Sequence, residues 1–310
     1  MNIVKTEFYS DALKLKGSFY LPKNFNEKKK YPLILVNSGY QGFNEFYPKL
    51  FSEKLTEKDF ICFGFDYRGF ADSEGIKGRV VLSEQVSDIK HAITHASTHP
   101  NVDATKIGLV GWGMGANNVL HVAAKDKRVK AVAALNGFYN GERWLKLIHS
   151  PQEWSTIEKV VEEDRKLRAE SGQSRFEDTF IHYPLDPATA DYVKKELAPV
   201  YGFGNKTQLI FTDSIIETDA EEIVGKISPR PVFIAHGKDN LLHPISEAHS
   251  LYQKADTPKI LYTIDGKHND FMYSNHNDFI KLNEQLDMFF KEHVGRAGDV
   301  LGTEKISSLT

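Results

Sequence analysis

Short apolar runs alternate along the chain with longer stretches in which apolar residues recur every three or four positions. Partial alternation over residues 3–9 and 13–21 predicts two antiparallel strands joined by a turn at Asp11. Later apolar runs predict strands at residues 31–36, 61–65, 107–110, 129–135, 231–235 and 260–264. The intervening stretches predict helices at residues 45–58, 82–96, 116–124, 245–255 and 276–293. Because a helix follows each of the strands at residues 31–36, 61–65 and 107–110, we expect a mostly parallel sheet covered by helices on both faces.

The strand-then-helix rhythm is interrupted in the middle of the chain. Residues 138–229 are rich in charge, Trp and Phe, contain helix-like patches at 156–170 and 188–197, and are too long for a plain loop. We predict a helical cap there, over the carboxyl ends of the strands, where open α/β sheets bind ligands. The predicted organisation is a core at 1–137 and 230–294, a cap insertion at 138–229 and a C-terminal tail at 295–310.

A glycine-rich turn follows the apolar run at 107–110. The turn is Gly111-Trp112-Gly113-Met114-Gly115, and a helix-forming segment comes next. Strand, turn and helix are the context of the G-x-S-x-G nucleophile elbow, but Gly113 occupies the place of the serine. Glycine has no side-chain oxygen or sulfur, so an acyl-enzyme cannot form here. Three origins stay open: a natural glycine at an active site, a glycine that relieves backbone strain, and a serine removed by mutagenesis.

The elbow and the motifs around it resemble those of the α/β-hydrolase superfamily. Ser38-Gly39-Tyr40-Gln41-Gly42 follows the strand at 31–36, where members often carry H-G-x-x-G. The resemblance implies an oxyanion hole built from the backbone N–H of Tyr40 or Gln41 and that of Met114, with Trp112 beside it. Residues 65–73 resemble the D-x-R-G-x-G-x-S segment, whose role is mostly structural.

Two further turns carry the resemblance toward the C-terminus. Residues 235–244 resemble the turn that delivers the acid of a catalytic triad. Counting from either end can put Asn240 in the acid position, but Asp239 is the carboxylate in this turn, so we predict Asp239 as the acid. His268 follows the strand at 260–264, where the superfamily carries its general base, and the order elbow, acid, histidine matches. Residues 235–272 are most similar to bacterial esterase or acylpeptidase-like members and natural-product-tailoring relatives.

Composition narrows the class of partner. The net charge is −3, and Lys and Arg are spread along the chain, which argues against nucleic-acid and anionic-membrane partners. No apolar run has the length of a signal peptide or a membrane span, so we expect a cytoplasmic protein. Cys62 is the only cysteine and lies in a predicted strand, which favours a buried, unreactive thiol. We predict no metal and no cofactor; the assembly state is open, with a homodimer among the alternatives.

Three functions fit these observations. The first is an enzyme that acts on a small carbonyl compound through an oxyanion hole and a His268–Asp239 pair without a serine nucleophile, as a lyase, epimerase, decarboxylase or non-covalent hydrolase. The second is a serine esterase whose nucleophile is replaced at Gly113. The third is a non-catalytic ligand-binding relative. We predict the first, with an α/β-hydrolase fold and a small-molecule substrate.

Overall fold

The computed structural model describes residues 1–298 and contains one large sheet of eight strands. The strands of the chain are β1 (Asn2–Ser10), β2 (Leu13–Leu21), β3 (Tyr31–Asn37), β4 (Ile61–Phe65), β5 (Val102–Trp112), β6 (Val129–Leu135), β7 (Phe176–Asp178), β8 (Lys206–Gln208), β9 (Val232–Gly237) and β10 (Lys259–Ile264). The large sheet has the order β1-β2-β4-β3-β5-β6-β9-β10. In this sheet β2 pairs antiparallel with both β1 and β4, and the remaining neighbours, β4-β3-β5-β6-β9-β10, all pair parallel. The predicted mostly parallel sheet is therefore confirmed.

Helices connect the parallel strands and cover the sheet. They are α1 (Tyr47–Thr56), α2 (Leu82–Ala96), α3 (Met114–Lys125), α4 (Gly141–Ile148), α5 (Pro151–Ser171), α6 (Pro187–Tyr192), α7 (Ile210–Ile216), α8 (Ile245–Lys254) and α9 (Asn277–His293). Two core clusters lie among these layers, one containing Leu33 and Leu109, the other Ile34 and Val110. Neighbouring residues of one strand point to opposite faces, so the central strands contribute to both clusters and are apolar where they cross the core.

The segment between β6 and β9 holds α4 to α7 and a short antiparallel pair, β7 and β8. Ser150 begins α5 with a capping box shared with Glu153, and Gly172 ends the helix at a φ of 73°. The segment thus contains strands as well as the predicted helices. Side chains from it, including Phe180 and Tyr183, face the nucleophile elbow across a shared cavity.

Three local features of the fold bear on the single cysteine, on membrane spans and on the C-terminal tail. Cys62 is buried in β4 and has no disulfide partner, as the sequence predicts. Among residues 1–298, no helix is long and apolar enough to cross a membrane. The backbone N–H of Gly298, in the predicted tail, donates to the carbonyl of Lys30 at 3.1 Å. The rest of that tail, residues 299–310, lies outside the described residues.

Candidate active site

The turn between β5 and α3 has the geometry of a nucleophile elbow. Gly113 has a φ of 57°, a region that L side chains adopt only under strain, and its N–H donates to the carbonyl of Leu135 at 2.9 Å. The next residue, Met114, begins α3. A Cβ at Gly115, two positions after Gly113, would collide with the carbonyl oxygen of Ser38, so glycine is required for α3 to approach the loop that contains Ser38. The sharp turn predicted from the glycine pattern is present.

The space above Gly113 is open toward His268. A Cβ built on Gly113 would lie 3.9 Å from Nε2 of His268, and its other nearest neighbours are at 4.0 Å. A serine at this position would therefore meet no steric obstacle, and its hydroxyl could reach the imidazole. The structure brings the elbow and the predicted histidine together in the arrangement of a serine hydrolase, without the reacting oxygen.

His268 lies in the loop after β10 and is 5% exposed. Its ring packs against that of Trp112, with centroids 5.6 Å apart. Burial lowers the pKa of His268 to about 3, and the nearby His236 adds to the effect. The imidazole is consequently neutral at physiological pH.

The predicted acid, Asp239, does not reach this histidine. Asp239 is exposed, and its N–H donates to the carbonyl of Gly266 at the outer side of the turn. Asn240 instead is 3% exposed, and its Nδ2 lies 3.1 Å from Nδ1 of His268. The predicted His268–Asp239 pair is thus replaced by a His268–Asn240 pair. The physical reason is the register of the turn: a shift by one position, from Asp239 to Asn240, takes the side chain from solvent to the interior.

The orientation of the Asn240 amide determines where His268 carries its proton. The backbone N–H of His243 donates to Oδ1 of Asn240 at 3.0 Å, so the NH₂ group faces His268. His236 uses its Nε2–H to donate to the carbonyl of His243 at 2.7 Å and cannot accept from that NH₂ group. Nδ1 of His268 is therefore the acceptor, and Nε2 carries the hydrogen. This is the reverse of a triad histidine, whose Nδ1 donates to a carboxylate and whose Nε2 accepts a proton.

The loop predicted to form the oxyanion hole lies against the elbow. Ser38 closes the loop by donating its hydroxyl to the carbonyl of Gln41 at 2.7 Å. The hydroxyl of Tyr40 donates to the carbonyl of Thr179 at 2.6 Å, which ties the loop to the segment between β6 and β9. Met114 is the first residue of α3, so its N–H has no carbonyl one turn earlier to accept it. The positive end of the helix dipole also points here, which favours an oxygen carrying negative charge.

A cavity of about 50 Å³ lies at this point. Every residue of the predicted site except Asp239 lines it, namely Tyr40, Gln41, Trp112, Gly113, Met114 and His268. The other lining residues include Phe180, Tyr183, Leu185 and Leu242, and the described lining contains no Asp, Glu, Lys or Arg. A larger hollow of about 520 Å³ adjoins it and shares Tyr40 and Gln41. The inner cavity has room for only a few non-hydrogen atoms.

Two buried residues that the sequence did not single out as functional lie close to His268. His243 is fully buried, and its ring centroid is 4.8 Å from that of His268. Tyr183 donates its hydroxyl to His243 at 2.6 Å. The sequence did not identify Tyr183, because nothing in it indicates which residues of the segment between β6 and β9 face the elbow. His276 is a helix cap whose Nδ1 accepts from the N–H of Asp278.

Metal binding has no support in the part of the chain that the structure describes. Across residues 1–298, no group of three or more His, Cys, Asp or Glu side chains is arranged to hold an ion. Near the elbow, one ring nitrogen each of His236, His268 and His243 instead binds a carbonyl, an amide and a hydroxyl group, respectively.

Comparisons with known proteins agree with this architecture. The family described as the alpha/beta hydrolase fold matches residues 31–171. An uncharacterized 31.7 kDa protein from the traX-finO intergenic region of Escherichia coli is 36% identical over 113 residues, which are 36% of this chain and 40% of that protein. The quorum-quenching protein AidA of Acinetobacter baumannii is 31% identical over 132 residues, which are 42% of this chain and 43% of that protein. These alignments thus span less than half the length of either relative.

A third relative matches over more of its length. The uncharacterized protein PA2218 of Pseudomonas aeruginosa is 26% identical over 301 residues, covering 91% of this chain and 78% of that protein. Its crystal structure superposes with a TM-score of 0.80 at 22% identity and covers 94% of each chain. The chain therefore has the α/β-hydrolase fold, and the family model of that fold matches its residues 31–171.

Proposed function

We propose that this protein is an enzyme that binds a small, uncharged carbonyl compound and moves a proton next to the carbonyl without forming an acyl-enzyme. Lyases and epimerases remove a proton from the carbon next to the carbonyl, decarboxylases return one to that carbon after CO₂ leaves, and a non-covalent hydrolase takes one from the attacking water. The observation that carries the proposal is the open space above Gly113. A Cβ built on this glycine would lie 3.9 Å from Nε2 of His268, and the start of α3 borders the same space. The site keeps the groups that bind an oxyanion and lacks the group that would attack.

The carbonyl oxygen would be held by three N–H groups. The backbone N–H of Met114 and one from the Tyr40-Gln41 loop supply the usual oxyanion donors. The Nε2–H of His268 supplies a third, because Asn240 holds the opposite nitrogen as an acceptor. A neutral imidazole is a suitable donor to an oxygen that gains charge in the transition state, since it does not lose its proton to the substrate.

The lining of the cavity favours an uncharged substrate. It is mostly aromatic and aliphatic, and it contains no charged side chain among the described residues. A charged ligand would lose its hydration without gaining an ion pair, which is costly in a buried site. The small volume limits the part of the substrate that reaches Gly113 to a few atoms.

A serine hydrolase disabled by one mutation fits less well. A hydrolase that was mutated to trap its substrate would need a change only at the nucleophile. Here the acid position also departs from a triad, because Asn240 lies beside Nδ1 of His268 in place of a carboxylate. Replacing the triad aspartate by asparagine costs a serine protease about 10⁴-fold in kcat because the histidine takes the wrong tautomer. Two altered positions support a natural site that has diverged from acyl transfer.

The proposal is tested by following exchange of C–H for C–D in D₂O. Small ketones, hydroxyketones and short esters would be incubated with the protein, and proton NMR would record loss of the signals next to the carbonyl. We expect catalysed exchange for at least one compound, together with no labelling by a fluorophosphonate. Binding of these compounds without exchange would favour the ligand-binding alternative, and neither binding nor exchange would contradict the proposal.

A further inference from the structure

A second histidine beside the cavity has the proton arrangement that His268 lacks. Nδ1 of His243 lies 2.6 Å from the carbonyl oxygen of Asn136. A carbonyl oxygen only accepts, so this nitrogen carries the hydrogen and Nε2 has a free electron pair. The pair points at the hydroxyl of Tyr183, 2.6 Å away. A backbone carbonyl thus fixes the tautomer here, as a carboxylate does in a triad.

Tyr183 connects this histidine to the cavity. Its side chain lines the cavity with Gly113 and His268. Its ring is held by Trp144 at a centroid distance of 4.7 Å and by Tyr40 at 5.5 Å, so its position is fixed on two sides. Because the hydroxyl donates its own hydrogen to His243, its oxygen has acceptor capacity left for a group in the cavity.

We propose that Tyr183, supported by His243, is the proton acceptor and donor of this site. The inference rests on the function proposed above and assigns the step that His268 cannot perform. His268 presents an N–H toward Gly113 and binds oxygen, whereas Tyr183 presents an oxygen whose hydrogen can move to a base. Tyr183 touches the substrate, and His243 acts through it.

The step balances without any further reactant. A hydrogen next to the substrate carbonyl leaves as a proton to the oxygen of Tyr183, and its bonding electrons form the carbon–carbon double bond of an enolate. The original phenol hydrogen moves to Nε2 of His243, which becomes an imidazolium ion. The enolate oxygen is held by the N–H groups of Met114 and His268. Reversing the transfers returns a proton to the carbon, and in D₂O that proton becomes a deuteron after exchange.

Burial keeps both partners neutral between turnovers. It lowers the pKa of His243 well below its usual value and raises the pKa of Tyr183 well above its own. The positive charge on His243 therefore forms together with the negative charge on the enolate, and the two attract strongly in a site of low dielectric constant. The imidazolium also has both hydrogens accepted, by Asn136 and by Tyr183.

The competing explanation is that the Tyr183–His243 bond only ties the segment between β6 and β9 to the core. The chain offers a matched control for that role. Tyr192 lies in the same segment, is 5% exposed, and donates its hydroxyl to the carbonyl of Met272 at 2.7 Å. The partner of its hydroxyl is a backbone carbonyl, which is not a base, and Tyr192 does not line the cavity. Tyr192→Phe therefore removes an equivalent tie without touching the proposed proton path.

The experiment measures deuterium exchange of the best small ketone from the screen, and binding of the same ketone by NMR, in wild type, Tyr183→Phe, His243→Gln and Tyr192→Phe. We expect kcat to fall about 10²- to 10⁴-fold in Tyr183→Phe and His243→Gln, with KM changed little. Tyr192→Phe should stay within a few-fold of wild type. His243→Gln keeps an acceptor for the Tyr183 hydroxyl and serves if Tyr183→Phe does not fold.

Each other outcome overturns a different statement. Exchange that survives in folded Tyr183→Phe or His243→Gln overturns the proton path and leaves the proposed function standing. An equal loss of activity in Tyr192→Phe shows that the bond to His243 is a structural tie. Ketone binding without exchange in wild type removes the proton path and leaves a binding site. Absence of both binding and exchange removes the proposed function itself.

Discussion

The amide nitrogen of Asn240 lies 3.1 Å from Nδ1 of His268, and the other end of that amide accepts the N–H of His243 at 3.0 Å. This pairing fixes the histidine with its hydrogen on Nε2, facing Gly113. In a serine hydrolase the same nitrogen must be free to accept a proton. Gly113, His268 and Asn240 thus lie together as the members of a catalytic triad do, but the hydrogen bond at Nδ1 of His268 runs in the opposite direction.

Asn240→Asp should restore the usual direction. The carboxylate would accept from Nδ1 of His268, which moves the hydrogen away from Nε2 and raises the pKa of the imidazole from about 3 toward its ordinary value of 6.5. Long-range ¹H–¹⁵N NMR distinguishes the two tautomers directly. Asp239→Asn is the matched control, because Asp239 is exposed and should leave the His268 signals unchanged. An Asn240→Asp protein that keeps its hydrogen on Nε2 would contradict the assigned network.

Gly113→Ser alone should give only weak esterase activity. The space for the side chain is present, but His268 offers the new hydroxyl an N–H where a base is needed. Gly113→Ser combined with Asn240→Asp should react faster by on the order of 10³- to 10⁴-fold, following the cost of the wrong tautomer. The strain of a serine at positive φ costs about 1–3 kcal/mol, which a domain of ordinary stability tolerates.

Short-chain p-nitrophenyl esters and a fluorophosphonate provide the measurement for these variants. Wild type should show neither a burst nor labelling, because Gly113 has no nucleophilic atom. Labelling of wild type at another serine, for instance Ser38, would mean that the elbow is not the reactive position. Equal rates in the single and double variants would mean that the Asn240 amide does not control His268.

Acidification from pH 7 to pH 5 should destabilise the fold. Burial lowers the pKa of His236 to about 4 and that of His268 to about 3, from ordinary values of 6.5. Below pH 6.5 the unfolded chain binds protons that the folded chain does not, so the free energy of unfolding falls by up to about 1.4 kcal/mol per pH unit for each such group. Urea unfolding at both pH values checks this. An unchanged midpoint would show that these histidines are accessible to protons in the folded state.

Much of the fold follows from the hydrophobic pattern. The strand at residues 61–65 and the helix at 82–96 are found with the predicted bounds because each is a clear apolar or amphipathic run. The strand predicted at 107–110 is longer in the structure, from Val102 to Trp112. Its first half contains Asp103 and Lys106, and its last residues belong to the glycine turn, so neither end carries a strand pattern.

The site was predictable only in part. Gly113 and His268 follow strands directly, and the carboxyl ends of parallel strands meet at one edge of the sheet. Asp239 and Asn240 differ by one position in a turn, where the sequence does not determine which side chain points inward. In the fold Asn240 is the inward residue, and its Oδ1 accepts the N–H of His243. Tyr183 lies about 70 residues after the elbow, in a segment whose path over the cavity depends on tertiary packing.

The most direct test of the central claim is ¹³C NMR of a carbonyl-labelled small ketone bound to the wild-type protein. We expect a bound carbonyl that stays trigonal and shifts to higher frequency, because the N–H groups of Met114 and His268 withdraw electron density from it. The shift should shrink in Asn240→Asp, where Nε2 of His268 no longer donates. A tetrahedral signal from a covalent adduct, or a bound ketone whose carbonyl frequency equals that in water, would show that these N–H groups do not hold the carbonyl as proposed.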